Sequence, residues 1–338
     1  MPYPHILSPL RIKRLSLRNR VVMPPMVTNM LRDGVTDQAL AWYAERPKGG
    51  VGLVIVEAVW VDRFSDERFA RQLRSLSERI HEAGAPAAIQ LFKRPTVAGK
   101  PVSISGEAGL RQIITEELAA IPGEFAAAAK VAQNAGFDGA EIHGAHGFFL
   151  NQFFSPKTNR RTDAYGGSLE GRSRLGLESA KAARQAVGDN FLLFYRHTPE
   201  QGAPDGYTLS DSIAFCQKLV AAGIDVLDIS PSTRHGSAHA GLAGAIKKAV
   251  SVPVIAVGGM NDPAAAEAAL SNGSCDLCAI GRGLIADAHW AEKVKAGKEG
   301  DVIVCEECNE GCFGRLRSGV PIGCMHNPES GNEYLRRK

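Results

Sequence analysis

Short runs of apolar and β-branched residues alternate with longer amphipathic segments along the chain, and this alternation limits the fold more than any other feature. Near-continuous apolar strands separated by helices are typical of a parallel sheet that is covered on both faces. Eight such units favour a closed (β/α)8 TIM barrel over an open doubly wound sheet, and 338 residues are enough for one barrel. The predicted strands are residues 21–25, 51–58, 86–92, 137–144, 191–197, 224–230, 252–258 and 275–281.

The composition limits the environment and the partners of the chain. It is 44% hydrophobic and 22% charged, which is ordinary for a soluble globular protein. The net charge of +3 is too small to indicate nucleic acid as a partner. The sequence lacks an apolar run of membrane-spanning length, and its N-terminus lacks the basic-then-apolar order of a signal peptide. We therefore expect a cytoplasmic protein without nucleic-acid or membrane partners.

Barrels of this type collect their chemistry at the carboxyl ends of the strands. Several of the predicted strands end in polar residues that a purely structural barrel would not need. These ends carry Pro24, Pro25 and Met26, then Glu57 and Ala58, Gln90, His143 with His146, Arg196 with His197, and Ser230. The sequence thus predicts an active site at this end of the barrel.

Glycines follow the seventh and eighth predicted strands, as Gly258, Gly259 and Gly281, and Arg282 comes next in the chain. Glycine allows backbone N–H groups to approach an anion, and a guanidinium adds charge-assisted hydrogen bonds. In the alternative interpretation the glycines serve only as turns and Arg282 lies on the surface. Because barrels commonly bind phosphate after these two strands, the combination favours a phosphorylated ligand.

Four of the seven cysteines lie close together near the C-terminus, with the spacing C-x2-C-x3-C-x11-C. They are Cys305, Cys308, Cys312 and Cys324. Three thiolates within eight residues can hold three corners of a [4Fe–4S] cubane, with the fourth thiolate coming from a nearby turn. Structural zinc, which usually recruits two separated cysteine pairs, and free thiols remain as alternatives.

The other three cysteines, Cys216, Cys275 and Cys278, lie in apolar surroundings, and we expect them to be small buried residues. Cys275 and Cys278 form a C-x-x-C pair. Inside a strand, residues three apart point to opposite faces, so we do not expect these two thiols to meet.

The segment GFDGAEIHGAHGFFLNQFFSPKTNRRTDAYGGSLEGRSR (136–174) resembles the signature of the old yellow enzyme family of flavin oxidoreductases. NRVVMPPM (19–26), IQL (89–91), VGGMNDP (257–263) and AIGRGLIAD (279–287) resemble the same family, in the same order. The resemblance implies a barrel that binds FMN, with the flavin ring across the mouth and a small-molecule substrate above it. It also implies that the protein is a homo-oligomer.

The resemblance assigns roles to individual residues of this sequence. Gln90 would bond the pyrimidine edge of the flavin, and Arg196 would face N1 and O2, where reduced flavin gathers negative charge. His143 and His146 would donate to the carbonyl oxygen of an α,β-unsaturated substrate. The implied flavin-binding set is Pro24, Pro25, Met26, Val27, Ala58, Gln90, His143, Arg196, Gly258, Gly259, Met260, Gly281 and Arg282, and the implied catalytic set is His143, His146 and Arg196.

Three features depart from the family pattern. Phe148 stands where ene-reductases of the family carry the tyrosine that protonates the α-carbon, and Phe148 has no proton to give. Val27 stands where many relatives have threonine or cysteine. Residues 91–100 form a shorter and more basic loop than in the family. The departures bear on the substrate chemistry and leave the flavin site intact.

The cysteine-rich segment resembles the iron–sulfur branch of the family, which includes 2,4-dienoyl-CoA reductase and trimethylamine dehydrogenase. We therefore expect an FMN-binding barrel over residues 1–300 and a [4Fe–4S]-binding segment over residues 301–338. In those relatives a nucleotide-binding half follows. Here the sequence reaches Lys338 about where it would begin, and no G-x-G-x-x-G follows a strand.

Electrons would then pass between the cluster and a redox partner such as a reductase subunit, a ferredoxin or an electron-transfer flavoprotein, with NAD(P)H as a possible donor. The leading prediction is reduction of an activated C=C bond. The alternatives are an amine dehydrogenase or N-demethylase that oxidises a C–N bond, and a non-catalytic subunit that only relays electrons. The histidine pair and Arg196 disfavour the relay.

Overall fold

The computed structural model describes residues 3–107, 109–202, 204–232 and 239–336. Its centre is a closed barrel of eight parallel strands, which we label β1 to β8. They are Val21–Met23 (β1), Leu53–Trp60 (β2), Ala87–Phe92 (β3), Gly139–Gly144 (β4), Leu192–His197 (β5), Val226–Ile229 (β6), Val254–Val257 (β7) and Leu277–Ala279 (β8). Each strand pairs with its neighbours in chain order, and β8 closes the barrel on β1. The predicted (β/α)8 barrel is confirmed.

Most of the predicted strands extend past the observed ones at one or both ends. The first prediction, 21–25, overshoots because Pro24 and Pro25 have no N–H to donate to a neighbouring strand. The second strand instead runs on to Trp60, with a change of register between Val56 and Val59. This irregularity is a β-bulge, which commonly re-aims a side chain at the rim of a barrel.

Helices cover the outside of the barrel. The longer ones among the described residues are Asp37–Lys48, Glu67–Glu82, Thr115–Asn134, Leu169–Val187, Leu209–Ala221, His239–Lys247 and Pro263–Ser271. Shorter ones span Phe149–Phe154, Arg282–Ala286 and Trp290–Lys295. Gly84, Gly136 and Gly223 follow three helices at φ 98°, 88° and 102°, a left-handed conformation that glycine adopts without strain.

Two apolar cores hold the barrel together. The first fills the barrel interior, and an antiparallel hairpin, Leu10–Ile12 with Leu15–Leu17, closes it from below with Ile12 and Leu17. The second lies between the strands and the surrounding helices. The amino-terminal end of the barrel is therefore packed, which leaves the carboxyl end as the open face.

The thiols of Cys275 and Cys278 lie 3.7 Å apart, so the prediction that they point to opposite faces is wrong. Strand β8 begins only at Leu277, and the alternation of side chains therefore does not extend back to Cys275. Both residues are buried, as is Cys216, which confirms the prediction that these cysteines belong to the core.

The C-terminal segment, described to residue 336, packs directly against the barrel. Buried Ile322 donates its backbone N–H to the carbonyl of Thr28 at 3.0 Å. Glu333 forms an ion pair with Arg46 at 2.7 Å, and both side chains are buried. The Arg46 guanidinium also stacks 3.3 Å above the Trp42 ring. A buried ion pair and a backbone hydrogen bond thus fix the segment beside the first helix of the barrel.

This ion pair leads to a stability prediction. Glu333→Gln keeps the side-chain size but leaves the Arg46 charge buried without its partner, which we expect to lower the free energy of unfolding by about 3 kcal/mol. Glu82→Gln is the matched control, because Glu82 makes only an exposed pair with Arg79, and we expect a change below about 1 kcal/mol. Urea unfolding at neutral pH measures both. Equal effects would show that the buried pair adds nothing.

Candidate active site at the carboxyl end of the barrel

Consecutive strands bring the predicted site residues together at the open end of the barrel. Gln90 on β3 lies beside Glu141 on β4, and His143 on β4 lies beside Arg196 on β5. Arg196 in turn lies beside Asp228 on β6. Gln90, His143 and Arg196 therefore occupy adjacent strands near one mouth, although they are far apart in the sequence.

The two histidines of the predicted catalytic set form one ring pair. The His143 and His146 rings are 5.4 Å apart and nearly perpendicular. His143 Nδ1 accepts the backbone N–H of Ala145 at 3.3 Å, which leaves its proton on Nε2. His146 has a left-handed backbone (φ 59°), and its N–H donates to Thr198 Oγ1 at 2.9 Å. Its Nε2 lies 2.8 Å from Ser230 Oγ. Ser230 was predicted only to lie at the end of a strand. In the structure its hydroxyl holds the His146 ring in position.

Both imidazoles are neutral at physiological pH. Burial, with unfavourable electrostatic interactions with the His146 ring and the Arg196 guanidinium, holds the pKa of His143 well below its usual range. Burial and the nearby Arg196 charge lower the pKa of His146 to about 3. A neutral imidazole still donates one N–H, so the pair can stabilise a developing negative charge without first taking up a proton.

Arg196 lies at the base of the mouth and is nearly buried. Its Nη1 donates to the Pro25 carbonyl at 3.2 Å and its Nη2 to Ser230 Oγ at 3.1 Å. Its Nε lies 3.2 Å from the fully buried Asp228 carboxylate. The Arg196 charge is therefore fixed in place, close to the proline loop on one side and to the His146 support on the other.

The loop after β1 forms one wall of the mouth. Pro24 and Pro25 are buried, whereas Met26 is half-buried and Val27 is 45% exposed. Buried Glu57 fixes this loop by accepting the Thr28 N–H at 2.8 Å and the Thr28 hydroxyl. Predicted Ala58 follows Glu57 within the β-bulge of β2.

The predicted phosphate residues follow β7 and β8 and lie next to this wall, because β8 pairs with β1. Gly258 and Gly259 have left-handed backbones, at φ 99° and 74°, and Met260 beside them is buried. A Cβ on Gly281 would lie only 3.5 Å from the Met26 sulfur, so the eighth strand ends against the loop after the first. The Arg282 guanidinium lies 2.7 Å from Glu307 and 3.3 Å from Asn309 Oδ1, both in the cysteine-rich segment.

Aromatic side chains cover the histidine pair from outside, and the sequence had not predicted this cluster as a unit. Phe148, 45% exposed, lies edge-on to Phe92 at 5.0 Å and to His143 at 5.2 Å. Phe92 also contacts His143, at 5.6 Å. Arg94, two residues after Phe92, stacks 3.7 Å above the half-exposed ring of Trp60. Phe148 thus faces His143 with a ring where the family pattern has a hydroxyl.

The four clustered cysteines surround one cavity, which Arg282 also lines. Gly311 is needed there, because a Cβ would lie 2.8 Å from the Met325 backbone nitrogen and 3.0 Å from Cys324. Glu307 and Asn309 both have left-handed backbones, which is uncommon for residues other than glycine. Within the described residues, no three His, Cys, Asp or Glu side chains converge on a single-ion site.

His197, at the end of β5, supplies a pH test of the histidine environment. It is fully buried, its Nε2 lies 2.8 Å from Ser212 Oγ, and burial lowers its pKa to about 3. In the unfolded chain a histidine titrates near 6.5, so below this pH the unfolded state takes up a proton that folded His197 does not. The contribution of His197 to the free energy of unfolding is therefore present above pH 6.5 and is lost as the pH falls towards 3. The penalty of His197→Gln should therefore be smaller at pH 5 than at pH 7 by about 2 kcal/mol.

The control for this prediction has the opposite sign. A hydrogen bond to the Asp138 carboxylate raises the pKa of exposed His81, so the stabilising contribution of this pair is present below pH 6.5 and is lost at higher pH. The penalty of His81→Gln should therefore grow as the pH falls. Urea unfolding of both variants at pH 7 and pH 5 measures the two trends, and parallel trends would refute the assignment.

The barrel and its mouth define a class, that of the flavin-type barrel oxidoreductases. The chain matches the model of the NADH:flavin oxidoreductase / NADH oxidase family over residues 5–301, and it belongs to that family. The predicted resemblance to the old yellow enzyme family and the prediction of an enzyme are thereby confirmed.

Three relatives illustrate the match. A protein named NADH oxidase from Thermoanaerobacter brockii is 36% identical over 371 residues, covering 98% of this chain and 57% of that protein. A solved 2-naphthoyl-CoA reductase superposes with a TM-score of 0.90 at 28% identity, covering 99% of this chain and 58% of the other. Histamine dehydrogenase from Rhizobium sp. 4-9 superposes at 0.86 and 26% identity, covering 98% and 53%.

The chain thus spans somewhat over half the length of these relatives. Their names are those of an oxidase, a reductase and an amine dehydrogenase, and the two solved structures share the barrel of this chain. No helix within the described ranges is long and apolar enough to cross a membrane.

Proposed function

We propose that this chain is an FMN- and [4Fe–4S]-dependent oxidoreductase that reduces the activated C=C bond of an α,β-unsaturated carbonyl compound. The observation that carries the proposal is the neutral His143 at the barrel mouth. Its Nδ1 is occupied by the Ala145 N–H, so Nε2–H is available as a donor. The fixed Arg196 charge lies on the adjacent strand.

The residues of the mouth fit a flavin. The half-buried Met26 and the exposed Val27 offer an apolar surface to a flat ring, and Gly258 and Gly259 offer turns at which backbone N–H groups can bind phosphate. Arg196 would lie under the pyrimidine side of the ring. When bound, FMN supplies the hydride that the β-carbon of the substrate receives.

The histidines of this chain would act on the carbonyl oxygen. As the β-carbon gains hydride, negative charge develops on that oxygen, and N–H donors that are already fixed in position stabilise it. Ser230 and Thr198 keep His146 in position before the reaction begins. The α-carbon would take its proton from solvent, because Phe148 carries none to give.

The cysteine-rich segment would bind the cluster. Its four thiols line one cavity, Gly311 allows the two cysteine-bearing stretches to approach, and left-handed residues turn the loop between Cys305 and Cys312. The choice of a cubane over zinc rests on the C-x2-C-x3-C-x11-C spacing. Electrons would enter through a redox partner protein, with NAD(P)H as an additional donor.

Cofactor content tests this proposal. Protein prepared under anaerobic conditions should release FMN on denaturation and contain iron and acid-labile sulfide in equal amounts. FAD, or no flavin, would refute the flavin assignment. Zinc without sulfide would refute the cluster and leave the flavin assignment standing.

A second candidate function is oxidation of an amine C–N bond with export of electrons through the cluster. The observation that favours it is the aromatic cluster of Phe92 and Phe148 beside His143, which has the surface that attracts alkylammonium groups. Such a reaction removes hydride from the substrate and needs no proton donor to carbon. The histamine dehydrogenase neighbour agrees with this alternative.

A further inference from the structure

Two carboxyl groups lie inside the barrel, beneath the mouth, and the reaction described above does not use them. Glu141 on β4 and Asp228 on β6 are both fully buried. Gln90 Nε2 donates to Glu141 Oε2 at 2.6 Å, and Arg196 Nε lies 3.2 Å from Asp228 Oδ2. Among the described residues, Glu141 Oε1, both oxygens of Asp228 and Arg196 Nε make no hydrogen bond, so the contact between Arg196 and Asp228 is an ion pair only.

The charges at this position do not balance if both acids are ionised. Arg196 supplies one positive charge, so two carboxylates would leave one negative charge buried without compensation, at a cost of several kcal/mol. A single proton between the acids removes the excess charge and supplies the missing donor. Burial, together with the negative charge of Asp228, raises the pKa of Glu141 well above its usual range, and burial raises the pKa of Asp228.

The direction of this shared hydrogen bond follows from the neighbours. The two carboxyl groups are within hydrogen-bonding reach of each other. Asp228 forms an ion pair with the Arg196 guanidinium, which favours its charged form. Within the described residues, Glu141 forms no such ion pair, and its hydrogen-bond donor is the neutral amide of Gln90. The proton therefore belongs to Glu141.

We propose that Glu141 is held as a neutral carboxylic acid that donates to the Asp228 carboxylate, and that Asp228 thereby positions Arg196 and limits how much of its charge reaches the flavin. The second part rests on the proposed FMN site. Glu141 and Asp228 are positioning residues, since they act through Arg196. Arg196 in turn donates to Ser230, and Ser230 contacts His146. The acid pair therefore also helps to position the histidine that would bind the substrate.

Matched substitutions separate the two acids. Asp228→Asn removes a negative charge next to Arg196, which should favour reduced over oxidised flavin by about tenfold, a positive shift of ~30 mV for a two-electron couple. Glu141→Gln removes no charge if Glu141 is already neutral, so its flavin potential should stay at the wild-type value. A positive shift in Glu141→Gln, or no shift in Asp228→Asn, would overturn the proposal.

Infrared spectroscopy tests the proton directly, whether or not flavin is bound and whether or not Asp228→Asn folds. The wild-type protein at neutral pH should show the C=O absorption of a buried carboxylic acid, and part of it should be missing in Glu141→Gln. Burial also raises the pKa of Glu57 to about 7, so Glu57 contributes to the same absorption. The test is therefore the difference between the spectra of the wild-type protein and Glu141→Gln. No difference between the two proteins would overturn the Glu141 assignment. A clear difference in protein that binds no FMN would keep it while refuting the proposed function.

Discussion

Replacing Cys308 by serine should remove iron and acid-labile sulfide from the protein while most of the FMN stays bound. Cys308 is one of four thiols around a single cavity, and a cubane loses one corner ligand when its thiolate becomes a hydroxyl. The proline loop and the glycines that would bind the flavin lie on the barrel, where Glu57 holds the proline loop through Thr28, so we expect them to keep their positions when the cluster is lost. Metal and flavin analysis of protein made without oxygen measures both contents.

The control for this substitution is Cys216→Ala, which removes a buried thiol from the helix Leu209–Ala221. It should leave iron, sulfide and flavin at wild-type amounts. Unchanged iron in Cys308→Ser would remove this cysteine from the ligand set. Loss of flavin together with iron would show that the segment supports the flavin site as well.

Replacing His143 by alanine should lower kcat/KM for an α,β-unsaturated carbonyl substrate by about 10²–10³, which is the usual effect of removing one oxyanion donor. The loss should fall on the step in which reduced flavin is reoxidised by substrate. The rate at which dithionite reduces the flavin should stay the same, because no carbonyl oxygen takes part in it. Stopped-flow absorbance under anaerobic conditions follows each half-reaction separately.

His81→Ala is the matched control, since His81 pairs with Asp138 on the outside of the barrel and lies 39% exposed. It should leave both half-reactions unchanged. If His143→Ala reoxidises at the wild-type rate, His143 is not the carbonyl anchor, and the reductase proposal loses the observation on which it rests.

The barrel could be predicted from the sequence because its strands are short apolar runs separated by amphipathic segments, several of which end at a glycine such as Gly84, Gly136 or Gly223. The errors arose at the ends of elements, where periodicity carries little information. The predicted first strand was too long because Pro24 and Pro25 are apolar, although neither has an N–H to donate to a neighbouring strand. The contact of Cys275 with Cys278 was missed because the last strand begins two residues later than its apolar run suggests.

The predicted site residues were polar groups at the ends of apolar runs, and this signal found His143, His146 and Arg196. It did not single out Glu141 and Asp228, although both are charged residues inside predicted strands (GAEIHG and DVLDIS). They matter because the barrel closes, which brings the carboxyl groups on β4 and β6 close enough to share one proton. Such a contact has no local pattern in the sequence.

The aromatic cover of the site was only partly predictable for the same reason. Phe148 stood out as a departure from a family pattern, but Phe92 lies on another strand and its contact with Phe148 depends on the fold. The position of Arg282 between the predicted phosphate site and the cysteine-rich segment likewise depends on how that segment packs.

The flavin absorbance band of the anaerobically reduced protein, mixed with an α,β-unsaturated carbonyl compound, tests the central claim most directly. We expect the oxidised band to return and the saturated product to form in the same amount. The contradictory result is a band that stays bleached with such compounds, while the oxidised protein is bleached by an alkylamine. Amine oxidation would then be the function of this barrel.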